Sequence, residues 1–310
     1  MNLELRNIVV IKKLNTRQIE QYWEDGFTVI DRALPASLLA KMLRLTDEIM
    51  EDAKGLTESN ECYDLEETHS LHEPRVRRLK SPFKHWAFFN EFLRSDVALD
   101  PVEQIIGPNI RLYNNKMNMK APGYGAAVEW HSDWAFYPHT NDTGLALGVY
   151  LDDVDEDNGP MMVIPGSHKA GVIDHHSEGY FCGAIDPIKT PMAFSQAVPL
   201  TGAAGTITLH HVRSVHGSAL NHSTKPRRLL LQGYFSADAW PLTGFRNGQS
   251  IEDFDALIVR GFSTLEPRLA NIPVKMPFPK APHQGSIYEN QQILKNRYFG
   301  PMGADKRVVK

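Results

Sequence analysis

Apolar residues recur at helical spacing in the first third of the chain, which predicts a helical N-terminal region. The clearest case starts at Pro35, where leucine, methionine and isoleucine repeat every three to four residues as far as about residue 53. Shorter patterns predict helices at 15–25, 86–97 and 101–106 and a β-branched strand at 27–30. Residues 54–74 are polar and aperiodic, which predicts a mobile loop that can close over a site.

From Ile110 onward the pattern changes to short strands separated by glycine, proline, asparagine and aspartate. The predicted strands are Ile110–Lys120, Ala126–Asp133, Leu145–Asp152, Met161–Ile164, Ala197–Leu200, Thr206–His211, Arg213–His216 and Arg228–Ser236. Strands without intervening helices are typical of a β-sandwich or jelly roll rather than of a parallel βαβ sheet. After residue 240 the chain is rich in proline and weakly periodic, which predicts a wrapping tail.

These patterns predict a mainly β (α+β) protein with a jelly-roll core, or double-stranded β-helix, and flanking N-terminal helices. We expect one domain, with helical support at 1–109, the core at 110–240 and the wrapping segment at 241–310. The chain has 310 residues, of which 42% are hydrophobic and 23% charged, so it contains enough apolar material for one large core.

Charge and composition exclude several partner classes. The net charge of −4 gives no reason to expect nucleic acid or an anionic membrane as a partner. No stretch approaches the roughly 20 apolar residues of a membrane span, and the N-terminus does not have the pattern of a secretory signal. The two cysteines, Cys62 and Cys182, suit a reducing compartment. We therefore expect a cytoplasmic monomer or homodimer that acts on a small molecule.

The candidate chemistry starts from His131 and Asp133, which lie two residues apart in a predicted strand. Side chains at this spacing share one face of a strand, so both can bind one ion. A third ligand from a distant strand, such as His216, completes the two-histidine, one-carboxylate set of non-haem Fe(II) enzymes. Zinc usually favours tetrahedral sites with more nitrogen or sulfur. Such a pair is common by chance, and His210 and His211 are alternative third ligands.

Several motifs, in order along the chain, resemble the phytanoyl-CoA dioxygenase family over about residues 16–240. They are Gln21–Ile30, Trp130–Asp133, Asn158–His168 and His216–Asn221, followed by Arg227 eleven residues after His216. The resemblance implies an Fe(II)/2-oxoglutarate dioxygenase with His131, Asp133 and His216 as metal ligands. It favours His216 because this histidine alone precedes Gly-Ser-x-x-Asn and has the arginine at the family's spacing.

The resemblance also assigns Arg227 to the distal carboxylate of 2-oxoglutarate. Arginine offers a planar fork that matches a carboxylate. Arg228 is adjacent, and strand alternation allows only one of the two to point inward, so we expect Arg228 to be a solvent-facing or edge residue. If the strand of His216 continues, Ser218 shares its face and can bind the same carboxylate.

The strand from Leu112 to Lys120 alternates between polar and apolar residues. Asn114, Lys116 and Asn118 are predicted on one face, and Tyr113, Met117 and Met119 on the other. The polar face is either a solvated surface or, as the resemblance implies, a set of contacts to the cosubstrate or to a polar substrate.

Substrate contacts are expected from the aromatic segment that follows Asp133, although such residues can also serve packing alone. The candidates are Trp134, Phe136, Tyr137 and His139, with His175 and Arg213 in addition. The basic stretch Arg75–Lys80 can either hold a phosphorylated substrate such as an acyl-CoA or form internal ion pairs.

The resulting prediction is an enzyme that hydroxylates a C–H bond of a small molecule. In this reaction O₂ is consumed, and 2-oxoglutarate is decarboxylated to succinate and CO₂. Asp133 disfavours a halogenase, because halogenases of this group leave the carboxylate position vacant. Desaturation or another oxidative rearrangement at the same iron remains an alternative, as does a jelly-roll binding protein without activity. The mixture of aromatic and polar candidates favours a small polar or ring-bearing substrate.

Overall fold

The computed structural model describes residues 13–245, 248–282 and 285–300. Its helices are α1 (Thr16–Asp25), α2 (Ala36–Asp52), α3 (Pro82–His85), α4 (Ala87–Leu93), α5 (Asp96–Ile106), α6 (Ile251–Asp255) and α7 (Ile287–Asn290). Asn15 caps α1 by accepting a hydrogen bond from the backbone N–H of Gln18, and Gly26 ends this helix with a left-handed φ of 82°.

Two antiparallel sheets form the core of the molecule. Their strands, with one further hairpin, are β1 (Phe27–Ile30), β2 (Tyr63–Leu65), β3 (Val76–Lys80), β4 (Ile110–Lys120), β5 (Val128–His131), β6 (Leu145–Tyr150), β7 (Met161–Val163), β8 (His176–Ser177), β9 (Tyr180–Phe181), β10 (Val198–Leu200), β11 (Ile207–His211), β12 (His216–Ser218), β13 (Arg227–Ser236) and β14 (Ile258–Arg260). The large sheet has the order β1-β11-β6-β13-β4-β3-β2, with β14 also paired to β4, and the small sheet has the order β10-β7-β12-β5. This mainly β, jelly-roll architecture confirms the predicted fold class.

The large sheet separates an apolar outer face from the inner face that carries the candidate site. Leu147, Val149 and Leu230 lie on the outer face and pack with the N-terminal helices in the largest hydrophobic cluster. Residues next to them in sequence, such as Ala146 and Leu231, line a cavity on the inner face. This period-two separation follows from the pleat of the strands.

Most strand predictions agree with the structure to within two residues at each end. The prediction for Arg213–His216 is wrong: the chain turns at Ser214, whose N–H donates to the carbonyl oxygen of His211, and the strand starts at His216. The predicted helix at 86–97 is also wrong in extent, because α4 ends at Leu93 and a new helix begins at Asp96.

The predicted loop at 54–74 contains a buried strand, β2, so that prediction is wrong in part. Asp64 on β2 is 3% exposed and forms ion pairs with Arg77 at 2.9 Å and Arg78 at 2.8 Å, both on the neighbouring β3. Arg77 also pairs with Glu289 near the C-terminus. All three arginines of the basic stretch Arg75–Lys80 therefore form ion pairs within the protein, since Arg75 also pairs with Glu73. Sequence periodicity misses β2 because its stability comes from a partner strand.

Part of the predicted wrapping segment, residues 246–247, 283–284 and 301–310, lies outside the described residues. The described part of this segment contacts the small sheet: the N–H groups of Tyr298 and Phe299 donate to the carboxylate of Glu129 on β5. Within the described ranges, no helix is both long and apolar enough to cross a membrane. Cys62 and Cys182 are not joined in a disulfide.

Replacement of Asp64 by alanine is expected to lower the free energy of unfolding by about 3–5 kcal/mol, because two guanidinium groups lose a buried partner. Glu51→Ala is the matched control, since it removes an exposed ion pair with Lys54 and should cost less than about 1 kcal/mol. Urea denaturation of both variants measures the difference. Equal losses would contradict a structural role for the buried cluster.

Candidate metal centre

The metal-ligand candidates meet at one edge of the small sheet. His131 ends β5, His216 begins β12, and these two residues are direct partners in the antiparallel pairing. Their ring centroids lie 4.1 Å apart. One ligand atom from each of His131, Asp133 and His216 lies within 4.8 Å of the other two. Two imidazole nitrogens and a carboxylate oxygen at this spacing fit a single octahedral ion with positions left for further ligands.

Asp133 lies just beyond the strand in which the sequence predicts it. Strand β5 ends at His131, and Asp133 begins a short 3-10 helix, Asp133–Ala135. Ser132 between them is still extended, with φ −117° and ψ 143°, so the alternation of side chains continues through it. The N–H of Ser132 donates to Nε2 of His175 at 3.0 Å, which fixes the backbone between the two candidate ligands.

Both candidate histidines are oriented through their Nδ1 atoms. Nδ1 of His131 lies 2.9 Å from the carbonyl oxygen of Glu129, and Nδ1 of His216 lies 3.0 Å from that of Ser214. A carbonyl oxygen can only accept, so each Nδ1 carries the proton and each Nε2 keeps its lone pair. This is the tautomer that a metal ion requires of an Nε2 ligand.

The electrostatics of the cluster also favour a bound cation. Burial lowers the pKa of His131 to about 4 and lowers the pKa of His216 well below its usual value, so both rings are neutral at neutral pH. Burial by itself would raise the pKa of the Asp133 carboxyl, but the neighbouring His210 and the ammonium group of Lys116 outweigh it and lower that pKa. The cluster therefore offers two neutral nitrogens and one carboxylate without a proton to displace.

A cavity adjoins the cluster, and the inner face of the large sheet lines much of it. The sequence-predicted residues that line it are His131, Asp133, His216, Ser218, Arg227, Asn114, Lys116 and Asn118. Oδ1 of Asn118 is buried without a hydrogen-bond partner among the described residues. A buried polar atom of this kind fits a cavity that takes a polar ligand.

Arg227 and Arg228 point to opposite faces of β13. Arg227 is buried in the cavity, where its Nε and Nη2 donate to the carbonyl oxygen of Gly159 at 3.1 and 2.7 Å. Arg228 instead lies on the outer face, where it forms ion pairs with Asp152 at 2.7 Å and Asp47 at 2.6 Å and stays partly exposed, so it does not enter the cavity. Burial lowers the pKa of Arg227, which forms no salt bridge with a carboxylate in the described chain. A buried guanidinium in this state fits the carboxylate of a bound ligand.

The predicted separation of polar and apolar side chains along β4 is present from Asn114 to Met119. Tyr113 is the exception, because it does not lie with Met117 and Met119 but packs against Tyr137, with 4.5 Å between the ring centroids. The register between β4 and β13 shifts at this point, which leaves Tyr113 as an extra residue. A β-bulge of this kind reverses the alternation.

The aromatic residues that follow the 3-10 helix lie outside the cavity of the ligand cluster. Phe136 and Tyr137 line a separate cavity of about 1380 Å³. Phe136 also makes an edge contact with His131, with ring centroids 6.1 Å apart. His139 stacks on Phe235 at 3.8 Å, which is a packing contact. Among these residues, Phe136 is therefore in the best position to influence the metal centre.

The remaining substrate candidates line a third cavity of about 420 Å³. They are Trp134, His175 and Arg213. Arg213 forms an ion pair with Asp142 at 3.1 Å. His175 uses both ring nitrogens within the protein, through Ser132 and the carbonyl oxygen of Ile173. Its geometry is that of a residue that positions the backbone between His131 and Asp133, a role that no local sequence pattern indicates.

His210, which the sequence offers only as an alternative ligand, lies beside the cluster. Its Nε2 lies 3.7 Å from Oδ2 of Asp133, and its ring centroid lies 4.6 Å from that of His216. The adjacent His211 points away, towards Asp142 and His168. Alternation along β11 was the signal that separates the two, since only one of them can face the cavity.

Known proteins resemble this chain in both sequence and fold. The model of the phytanoyl-CoA dioxygenase family matches residues 22–229. The chain is 41% identical over 286 residues to a probable alpha-ketoglutarate-dependent hypophosphite dioxygenase of Stutzerimonas stutzeri, covering 91% of this chain and 99% of the relative. It is 28% identical over 251 residues to an ectoine dioxygenase of Bordetella bronchiseptica, covering 73% and 76% of the two chains.

Among solved structures, the iron-bound EctD from S. alaskensis has the same fold, with a TM-score of 0.64. It is 20% identical in sequence, and the match covers 87% of this chain and 90% of that one. The cluster of His131, Asp133 and His216, the buried arginine and the jelly-roll core agree with these relationships. The chain therefore belongs to the phytanoyl-CoA dioxygenase family of Fe(II)/2-oxoglutarate-dependent oxygenases.

Proposed function

We propose that this oxygenase inserts one oxygen atom into a bond to hydrogen of a small, polar substrate held in the cavity beside His131, Asp133 and His216. The observation that carries the proposal is the convergence of these three ligand atoms within 4.8 Å on a cavity that also contains the buried guanidinium of Arg227. A metal site and an anion site in one cavity match the needs of an enzyme that uses iron and a dicarboxylate together.

In this proposal Nε2 of His131, Nε2 of His216 and a carboxylate oxygen of Asp133 bind Fe(II). Bound there with 2-oxoglutarate, the iron supplies the oxidising chemistry: one oxygen atom of O₂ enters succinate, CO₂ leaves, and the other oxygen atom enters the substrate. The protein contributes the ligand face, the tautomers set by Glu129 and Ser214, and a cavity that limits access of water.

Arg227 is proposed to bind the distal carboxylate of 2-oxoglutarate, with the hydroxyl of Ser218 beside it. Asn118 lies in the strand register directly opposite Leu229, two residues from Arg227, and its free amide oxygen faces the same cavity. We assign Asn118 to the cosubstrate as well. Lys116 and Asn114 follow on β4 at increasing distance from the end that pairs with Arg227, with about 7 Å for every two residues. Both are available to the cosubstrate or the substrate.

Hypophosphite is the first candidate substrate, because the relative named for it aligns with nearly the whole chain. The bond that is oxidised would then be P–H rather than the C–H bond expected from the sequence. Hypophosphite would gain one oxygen atom and leave as phosphite. A small oxyanion is in keeping with the polar residues of the cavity.

We further propose that the enzyme works in the cytoplasm as a monomer or homodimer. The unpaired state of Cys62 and Cys182 supports a reducing compartment.

Replacement of His216 by alanine is expected to lower Fe(II) affinity by more than the roughly 10–100-fold typical of residues that only orient a ligand. The matched control is His211→Ala. His211 is a buried histidine on β11, next to His210, and its side chain points away from the cavity towards Asp142. Anaerobic metal binding, measured by calorimetry, distinguishes them. Normal iron affinity in the His216 variant would overturn the ligand assignment.

Arg227→Ala is expected to weaken 2-oxoglutarate binding by roughly 30-fold to several thousand-fold, since a buried charge pair loses one partner worth about 2–5 kcal/mol. Lysine should rescue poorly because it lacks the fork of arginine. Arg228→Ala, which breaks the ion pairs with Asp152 and Asp47 on the opposite face, should change this affinity less than about threefold. Titration of 2-oxoglutarate into the Fe(II) forms measures both, and the reverse order would refute the inward assignment.

The function itself is tested by incubating the Fe(II) enzyme with 2-oxoglutarate, O₂ and hypophosphite, and quantifying succinate and phosphite. We expect the two products in equal amounts, and loss of both in His216→Ala. L-proline and ectoine, substrates named for other relatives, serve as comparators. Succinate without phosphite would reject hypophosphite but not the enzyme class, whereas no succinate with any substrate would reject the proposed function.

A further inference from the structure

A row of residues across the large sheet forms a recess beside the ligand cluster. The strand register pairs His210 with Ala146, Ala146 with Gly233, and Gly233 with Asn114. His210, Ala146 and Asn114 line the same cavity as the ligand cluster. This row lies about 20 Å along the strand direction from the row of Arg227 and Lys120, so it is at the end of the cavity remote from the proposed carboxylate site.

The two middle residues of this row have small side chains or none, which leaves space above the sheet. Three strand spacings of about 4.8 Å separate the backbones of His210 and Asn114 by roughly 14 Å. Between them Ala146 presents one methyl group and Gly233 no side chain. A Cβ atom added to Gly233 would lie 2.8 Å from Oδ1 of Asn114, so the amide leans across that strand. The recess between the imidazole and the amide therefore has room for a small molecule only.

His210 is the unusual member of the row. It is 1% exposed, and neither of its ring nitrogens has a hydrogen-bond partner among the described residues. Its Nε2 approaches Oδ2 of Asp133 only to 3.7 Å, beyond hydrogen-bonding distance. It is also not part of the set of ligand atoms that lie within 4.8 Å of one another. A buried imidazole without a partner, facing a cavity, indicates a polar ligand that satisfies it.

The charges around the recess indicate that the ligand is an anion. Bound Fe(II) and the 2-oxoglutarate dianion would balance each other, Asp133 balances Arg227, and the neutral rings of His131 and His216 contribute no charge. Lys116, one row from His210 and Asn114, lines the cavity and forms no hydrogen bond or salt bridge within the described ranges. Its ammonium group leaves one positive charge uncompensated, which a monoanionic substrate would neutralise.

We propose that His210, Asn114 and Lys116 bind the oxygen atoms of a small oxyanion substrate, and that the floor formed by Ala146 and Gly233 limits its size. This inference rests on the proposed function and adds the residues that select the substrate. The imidazole and the amide each donate one hydrogen bond, and the ammonium group supplies the charge. The oxidised bond then lies on the side of the recess nearest Asp133. His210 thus determines specificity and is not an iron ligand.

The test is an anaerobic titration of hypophosphite into the enzyme loaded with Fe(II) and 2-oxoglutarate, followed by calorimetry. His210→Ala and Ala146→Leu remove the donor and fill the recess, respectively, and each should weaken hypophosphite binding about tenfold or more. His210→Gln, which retains an N–H donor, should restore part of the loss. The control His211→Ala should bind hypophosphite like the unchanged protein.

A separate titration of 2-oxoglutarate distinguishes the substrate role from a cosubstrate role. We expect the affinity of His210→Ala for 2-oxoglutarate and Fe(II) to change less than about threefold. Unchanged hypophosphite binding in both His210→Ala and Ala146→Leu would overturn the inference, and so would an equal loss of 2-oxoglutarate affinity. If the unchanged protein forms succinate but binds neither hypophosphite nor phosphite, the oxyanion class is wrong while the oxygenase function stands.

Discussion

The pairing of β5 with β12 is the interaction on which the site depends. It makes His131 and His216 direct neighbours across two antiparallel strands, although 85 residues of sequence separate them. Backbone carbonyl oxygens near the two strands then fix both rings by hydrogen bonds to Nδ1. The third candidate ligand, Asp133, needs only one more extended residue, Ser132, before the chain turns. The ligand geometry is thus mainly a consequence of backbone pairing, with side-chain contacts in a supporting role.

The large sheet contributes in a different way, because its outer face is apolar and its inner face carries charged and polar side chains. Leucine and valine on the outer face bury apolar surface against the helices, and this burial stabilises the fold. The inner face holds Lys116, Arg227 and His210, which destabilise an empty interior unless a ligand satisfies them. A fold that is stabilised on one face can tolerate a polar cavity on the other. Bound iron, cosubstrate and substrate should therefore stabilise the protein as well as react.

Much of this arrangement follows from the sequence, because strand alternation is a local property. Alternation correctly puts Arg227 and Arg228 on opposite faces and groups Asn114 with Lys116 and Asn118. It fails at Tyr113, since the bulge there depends on the register of a strand more than 100 residues away. Asp64 was missed for the same reason, because its partners belong to another strand. The contacts of His210 and His175 require the assembled cavity, and no local pattern encodes them.

The central claim is that one iron ion and one 2-oxoglutarate molecule share the cavity between the two sheets. An anaerobic crystal structure with Fe(II) and 2-oxoglutarate tests it most directly. We expect an anomalous peak within bonding distance of Nε2 of His131, Nε2 of His216 and the carboxylate of Asp133. The distal carboxylate of 2-oxoglutarate should lie on the guanidinium of Arg227. Iron bound through His210, or a cosubstrate carboxylate held away from Arg227, would contradict the account.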